Sequence, residues 1–413
     1  MHESPQHASF EDDVRHLTSK YVGVWHELPD AEPEFNRRFT QWQQRENERQ
    51  VSQQLHKAPR SYGVYDSLTD DDKAHISLDV MKSVAGSSLL SREIQNDRFF
   101  TESEKVTRRF LNEAKAFDPT LSEGDLHQAL RNLWVFNSIQ LFTGKSILLT
   151  PSSFAYSLLY PYVDNGLDAA ERTAEDKIGL VRWISKWFRG NGCPPIDDLT
   201  NKIGRLLSMI SEEYPRKEFP KVYHSLHAIL SAQQKSILFQ YDQSALDDTY
   251  LLTVTVEKGG TSVLADGYLA AGDLSASSAD AIFEYGVVLQ LIDDLQDLGE
   301  DNTSGHETPF QRYAERSETE KITQRLLRFS GRCATHLGKE DNSRSDSIQQ
   351  MIERSCTFLI LDAVAQHFVH YSEQFLHRIE SAMPLRPAFL RELHKERELR
   401  QSRYSKEAAL SLH

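Results

Sequence analysis

The spacing of apolar residues constrains this chain more than any other feature. Over most of its length they recur at intervals of three and four, the period of an amphipathic helix, and convincing strand alternation is nearly absent. Glycine and proline fall mostly between the helical segments, which predicts short connections and antiparallel neighbours. The sequence therefore predicts an all-α helical bundle. The alternating run TYLLTVTV (249–256) is also assigned to a helix in this context.

The distribution of polar residues divides the chain into three segments. Residues 1–99 are more polar than the residues after them and are predicted to form an N-terminal helical extension. Residues 100–385 carry the strongest helical periodicity and form the predicted antiparallel bundle. Residues 386–413 are predicted to form a charged C-terminal helix or tail.

The overall charge limits the classes of partner. The formal net charge of −14 argues against binding nucleic acid or an anionic membrane surface. The polar N-terminus lacks an apolar signal core, and the most apolar late window, CTFLILDAVAQHFV, is too short and too polar to span a bilayer. We expect a soluble, cytoplasmic protein without a membrane span.

A run of acidic residues follows an apolar helix at EYGVVLQLIDDLQDLGED (284–301). Asp293, Asp297 and Asp301 are spaced i, i+4, i+8, so on a helix they drift by only about 40° per step and form one self-repulsive stripe. A solvated helix end, a metal site and an acidic docking surface each account for it. Gly286 and Gln290 precede the stripe on the same face, which suggests that this face lines a cavity. Mg²⁺ held between carboxylates and substrate phosphates would suit such a site.

A second acidic cluster occurs in LLYPYVDNGLDAAERTAEDK (158–177). Asp164, Asp168, Glu171 and Glu175 are spaced as on a single helical face, and Asn165 adds a neutral oxygen ligand. If the two acidic helices are antiparallel neighbours, their ends face each other over a shared cavity. Two facing carboxylate clusters can hold several Mg²⁺ ions around one diphosphate.

Over residues 100–380 the chain resembles the class I isoprenoid synthases, the all-α family of trans-prenyltransferases, squalene/phytoene-type synthases and class I terpene cyclases. The segment GVVLQLIDDLQDLGED is similar to the second aspartate-rich motif of the prenyltransferases and to the cyclase metal triad. DNGLD resembles a degenerate first aspartate motif, with Asn165 at its second place, a departure that favours a cyclase. The metal ligands implied by the resemblance are Asp164, Asn165, Asp168, Asp293, Asp294, Asp297 and Asp301. Those expected to be catalytic are Asp164, Asp168, Asp293 and Asp297.

A double glycine interrupts the helical pattern of VEKGGTSVLADGYLAAGDL (256–274). Gly259 and Gly260 would each cost about 1 kcal/mol relative to alanine in a helix interior, so a helix break is predicted there. An ordinary inter-helix turn would explain the glycines equally well. The resemblance implies instead a broken helix beside the cavity, whose lining residues would be Gly259, Gly260, Gly286 and Gln290.

The resemblance also implies residues that hold the diphosphate. Lys258 or Thr261 would lie near it, beside the double glycine. Arg312 and Tyr313, in PFQRY, are similar to the Arg-Tyr pair by which cyclases hold diphosphate, although a surface arginine is the simpler interpretation of Arg312. A planar guanidinium suits a bidentate grip on phosphate.

The expected function is that of a Mg²⁺-dependent class I terpenoid synthase, which ionises an allylic prenyl diphosphate and cyclises it with loss of diphosphate. Several Mg²⁺ ions would bind together with the substrate. A prenyltransferase that couples or elongates prenyl diphosphates is the close alternative. A non-catalytic helical docking protein that retains the fold is the alternative of a different class. The oligomeric state is left open, and a homodimer is compatible with the resemblance.

Overall fold

The computed structural model describes residues 5–29, 35, 38–55, 98–169, 172–241, 247–299, 307–315, 317–340 and 345–396. Every regular element in these ranges is a helix, which confirms the all-α prediction. The helices are α1 Pro5–Glu27, α2 Gln41–Leu55, α3 Arg98–Phe117, α4 Glu123–Phe142, α5 Pro151–Asp168, α6 Ala174–Phe188, α7 Asp198–Glu213, α8 Pro220–Tyr241, α9 Asp248–Ala271, α10 Ala276–Gln296, α11 Pro309–Glu315, α12 Thr319–Glu340, α13 Ser345–Gln366 and α14 Glu373–Glu380, with a short 3₁₀ turn at Phe368–His370. A last helix includes 387–396.

Helix α9 is the central element of the bundle. It packs against α1, α4, α5, α8 and α10, and most of its residues are buried. A helix that is apolar around its whole circumference is stable only in such a position. The run 249–256 lies in α9, so its assignment to a helix is confirmed. Its later β-branched residues, Val254, Thr255 and Val256, are buried.

Helix α5 is antiparallel to both α4 and α9, and α10 is antiparallel to α9. Gln128 of α4 contacts Asp164 near the C-terminal end of α5, and further along α4 Asn132 contacts Ser157, which comes earlier in α5. Helices α9 and α10 run in opposite directions in the same way, because Gly259 faces Gln290 whereas the later Gly267 faces the earlier Ile282. The C-terminal ends of α5 and α10 consequently point to one end of the bundle.

The predicted break at the double glycine is wrong. Helix α9 runs without interruption through Gly259 and Gly260, because these glycines permit a close crossing with α10. A Cβ atom on Gly259 would lie 2.4 Å from the Cβ of Gln290, and one on Gly260 would lie 2.3 Å from the ring of Phe283. A Cβ atom on Gly286 would lie 2.2 Å from the carbonyl oxygen of Gly259. Close packing of α9 and α10 therefore offsets the helix-propensity cost of the glycines.

The N-terminal helix belongs to the same core as the bundle. Tyr21 and Trp25 of α1 are almost fully buried, in the hydrophobic cluster that includes α9 and α10. Helix α2 lies against the chain just after α14, where Glu48 accepts hydrogen bonds from the guanidinium of Arg386 and Asn47 bonds the carbonyl of Pro384. Helices α1 and α2 of the predicted extension thus pack on the bundle, as does Arg386 at the start of the predicted tail. Residues 56–97 and 397–413 lie outside the described part of the chain.

Among the described helices, none combines the length and the apolar character needed to cross a membrane. The connections that precede α5 and α10 are short. The capping box between Thr150 and Ser153, together with Pro151 in the first turn, begins α5 at a defined residue. The side chain of Ser275 caps the N-terminus of α10, where it accepts a hydrogen bond from the backbone N–H of Ser278.

Candidate functional site

Side chains of helix α4 contact the acidic C-terminal ends of both α5 and α10. The side-chain amide of Gln128 donates to Oδ2 of Asp164 at 2.6 Å, and the guanidinium of Arg131 donates to Oδ1 of Asp293. Because Gln128 and Arg131 are spaced i, i+3, they lie on one face of α4 with Cβ atoms about 5–6 Å apart. Asp164 and Asp293 therefore converge on the same face of one helix. We name these four residues the acidic mouth.

The position of the mouth at two helix C-termini explains its need for cations. Helix α5 ends at Asp168 and α10 ends at Gln296, where the backbone N–H of Asp297 closes the helix on the carbonyl of Asp293 at 2.9 Å. The C-terminal end of a helix carries the negative pole of its dipole, which disfavours carboxylates there. Asp164 and Asp293 are thus in a field that draws positive charge to them.

Arg131 supplies such a charge and was not predicted from the sequence. The charge of Asp293 raises the pKa of Arg131, burial opposes this shift, and a hydrogen bond to Asp293 and the charge of Asp297 add to it. The side chain of Arg131 nevertheless remains 50% exposed and that of Asp293 36% exposed. No motif marks a single arginine in an ordinary helix, so only its position beside α10 identifies it.

The first predicted acidic cluster does not lie on a single helix. The prediction of four carboxylates on one helix was wrong, because α5 ends at Asp168 and Thr173 caps a separate helix, α6, which contains Glu175. The side chain of Asp168 and the whole of Glu171 lie outside the described residues. That Asp168 binds metal stays a prediction.

Asn165 contacts α4 at a different residue from Asp164. Its side-chain amide nitrogen donates to Asp125 of α4 at 2.7 Å. It also borders a cavity of about 210 Å³, whose lining includes Asp118 and Lys202. A metal-binding role for Asn165 stays a prediction that this orientation does not favour.

The second predicted ligand set lies around the end of α10. Asp293 faces α4, whereas the neighbouring Asp294 is buried and accepts a hydrogen bond from Gln290 at 2.8 Å. Asp297 is the C-cap residue of α10, close enough for its charge to act on Arg131. Asp301 lies outside the described residues. Of this set, Asp293 and Asp297 are the members associated with the mouth.

Lys258 of α9 lies at the level of the mouth. Ser262, one turn after Lys258, shares a hydrogen bond with the hydroxyl of Tyr160 in α5. Asp164 lies one turn after Tyr160, and α5 and α9 are antiparallel, since Ser152 at the start of α5 bonds the carbonyl of Leu269 near the end of α9. Lys258 and Asp164 are consequently at the same level of two facing helices.

The other predicted diphosphate-binding residues are engaged elsewhere. Thr261 is fully buried, and its hydroxyl donates to the carbonyl of Glu257 at 2.6 Å. Arg312 donates to Glu307 at 2.6 Å and lies 3.8 Å from a carboxylate oxygen of Asp248. Because Asp248 precedes Lys258 by ten residues, Arg312 meets α9 about 15 Å along its axis from Lys258. The adjacent Tyr313 packs against the core.

The predicted cavity-lining residues form part of the α9–α10 contact. Gly259, Gly260 and Gly286 are buried there, and Gln290 packs its Cβ towards Gly259 while its amide reaches Asp294. These contacts assign the glycines a packing role. That this face also borders a substrate cavity stays a prediction.

A buried polar cluster lies in the bundle interior, further from the helix ends than the mouth, and was not predicted. Asp266 of α9 is fully buried, and the amide of Asn132 in α4 lies 3.4 Å from its carboxyl oxygen. Burial raises the pKa of Asp266 well above its usual range, because the charged form loses its hydration. Tyr156 and Tyr160 add hydroxyl groups that bond Ser262. The bundle interior beside the mouth is thus lined by both polar groups and aromatic rings.

The donor chemistry of the mouth suits a hard cation bound together with phosphate. Within the described ranges, no three histidine, cysteine or carboxylate side chains are gathered into a ready metal site. Mg²⁺ usually takes only one or two protein carboxylates and completes its coordination with water and substrate phosphates. Asp164 and Asp293 match that requirement.

Comparison of the chain with protein-family models, with curated proteins and with solved structures finds no match in any of the three. The resemblance to isoprenoid synthases therefore stays a prediction from the sequence motifs.

Proposed function

We propose that the protein is a Mg²⁺-dependent class I terpenoid synthase, which ionises an allylic prenyl diphosphate and cyclises it with loss of diphosphate. One observation carries the proposal: Asp164 and Asp293, from distant parts of the sequence, converge on one face of α4, where the cationic Arg131 bonds Asp293. Lys258 of α9 lies at the same level as Asp164. Carboxylates interleaved with cations suit a phosphate bridged to the protein by metal.

Each side chain of the site has a role that follows from its chemistry. Asp164 and Asp293 would hold Mg²⁺, which when bound would stabilise the charge that develops on the departing diphosphate. Lys258 would neutralise phosphate oxygens directly. The rings of Tyr156 and Tyr160, two turns and one turn before Asp164, would offer their π faces to an allylic cation.

The arrangement argues against a docking surface. A docking surface would present its acidic side chains outward to a basic partner, whereas Asp164 and Asp293 both turn towards α4. A prenyltransferase would use the same mouth, so it remains the alternative that product analysis must separate. The departure of Asn165 from the usual aspartate favours cyclisation.

The experiment that tests the proposal is an assay of diphosphate release from ten-, fifteen- and twenty-carbon allylic prenyl diphosphates. Each is incubated with and without Mg²⁺ and isopentenyl diphosphate, and the products are extracted and identified. Asp164→Asn and Asp293→Asn should each abolish Mg²⁺-dependent release. Asp13→Asn, which alters an exposed carboxylate of α1, is the matched control and should not.

The products discriminate between the alternatives. A cyclic hydrocarbon or alcohol would support the terpenoid synthase, and a lengthened chain would establish a prenyltransferase instead. Absence of turnover at every chain length, together with absence of diphosphate binding, would overturn both enzyme proposals and favour the docking protein.

A further inference from the structure

Arg131 is placed where two kinds of ligand would compete for it. It is the only arginine or lysine of α4, and it bonds Asp293 while the charge of Asp297 also acts on it. Half of its side chain is exposed, at 50%, so Arg131 borders the solvent as well as Asp293. Arg131 is thus held in place by the backbone of α4, whereas its contact with α10 is an ion pair of a half-exposed side chain.

We propose that Arg131 is a diphosphate-binding residue that exchanges the carboxylate of Asp293 for a phosphate when Mg²⁺ binds. This role rests on the proposed function. Mg²⁺ and a guanidinium repel each other, so both are poorly accommodated on one carboxylate oxygen. Diphosphate carries more negative charge than a carboxylate and accepts two parallel N–H bonds from arginine, so the displaced guanidinium has a better partner within reach.

Two opposite effects are expected from the exchange. Arg131 competes with Mg²⁺ for Asp293, so removing its charge should strengthen binding of Mg²⁺ alone, by about tenfold for a unit charge some 6 Å away in a watery site. Removing its hydrogen bonds should weaken binding of inorganic diphosphate by about 10- to 100-fold once Mg²⁺ is saturating. A residue with a purely structural role would move both affinities in the same direction.

The test uses the full chain and two probes, MgCl₂ alone and then inorganic diphosphate at saturating Mg²⁺. Apparent affinities are read from thermal stabilisation and from calorimetric titration, so no turnover is needed. Arg131→Met is compared with Arg131→Lys, which keeps the charge but loses the planar fork. Arg109→Met, at an exposed α3 arginine paired with Glu113, is the matched control.

We expect Arg131→Met to bind Mg²⁺ more tightly and diphosphate more weakly, and Arg131→Lys to change only the diphosphate affinity. Adding Asp293→Asn to Arg131→Met should abolish the gain in Mg²⁺ affinity. Unchanged affinities in Arg131→Met, when the wild type binds both ligands, would overturn this inference and leave the proposed function standing. A wild-type protein that binds neither probe would overturn the proposed function, and with it this role.

Discussion

The close crossing of α9 and α10 makes Gly286→Ala the most informative change to stability. Helix α10 places Gly286 directly against the backbone of Gly259. The added Cβ would lie 2.2 Å from a carbonyl oxygen, whereas ordinary contact begins at 3.4 Å. A backbone oxygen cannot rotate away as a flexible side chain can, so the two helices must separate by roughly 1 Å to make room.

The magnitude of the effect is the balance of two opposing terms. Overpacking of this kind costs about 3 kcal/mol, near the upper end of the usual range, because backbone must move. Alanine has a higher helix propensity than glycine, which returns about 1 kcal/mol. The net expectation is a loss of about 2 kcal/mol in the free energy of unfolding.

A second glycine provides a control with the opposite sign. Gly331 lies inside α12, and a Cβ added there would meet nothing within 4 Å. Gly331→Ala should therefore raise the free energy of unfolding by about 0.5–1 kcal/mol from helix propensity alone. Urea unfolding followed by circular dichroism measures both variants under identical conditions. Equal stability of Gly286→Ala and Gly331→Ala would refute the close crossing.

Three further predictions concern buried or partly buried carboxylates. Burial raises the pKa of Asp266 in the folded state, so its ionisation opposes folding progressively as pH rises above about 4. Asp266→Asn should therefore gain stability relative to wild type as pH rises above about 4, and a relative loss in urea unfolding would contradict the shift. Burial raises the pKa of Asp118, but hydrogen bonds, including one from Lys202, outweigh burial and hold it well below its usual range. Asp118→Asn should therefore lose about 1–2 kcal/mol at neutral pH, a deficit that shrinks as pH falls below about 4, and a pH-independent deficit would contradict this assignment. Glu48→Gln should weaken the bidentate contact with Arg386 and speed hydrogen exchange in α2 compared with α5, and unchanged exchange would show that the pair does not hold α2 in place.

Local sequence signals predicted the helices well, because helical periodicity depends on residues three and four apart. The assignment of 249–256 to a helix was correct despite its β-branched residues, since the surrounding pattern was helical. The break at Gly259 and Gly260 was wrong because propensity describes an isolated helix. It contains no term for a neighbouring helix that requires the missing Cβ atoms.

The residues of the candidate site also differ in whether a local sequence signal marked them. The acidic runs marked Asp164 and Asp293 from the sequence, as clusters of like charge at helix ends. Arg131 and Asp266 carried no comparable signal, since each is a single polar residue within a helix. Their importance depends on which residues of other helices they meet.

The sequence by itself determined that the chain is helical, where its main helices lie, and that two of them end in carboxylates. Only the tertiary structure decided that both acidic ends converge on α4, through Gln128 and Arg131. The physical reason is the separation along the chain over which each interaction acts. Helix formation is governed by neighbours along the chain, whereas Arg131 and Asp293 are brought together by the packing of whole helices around α9.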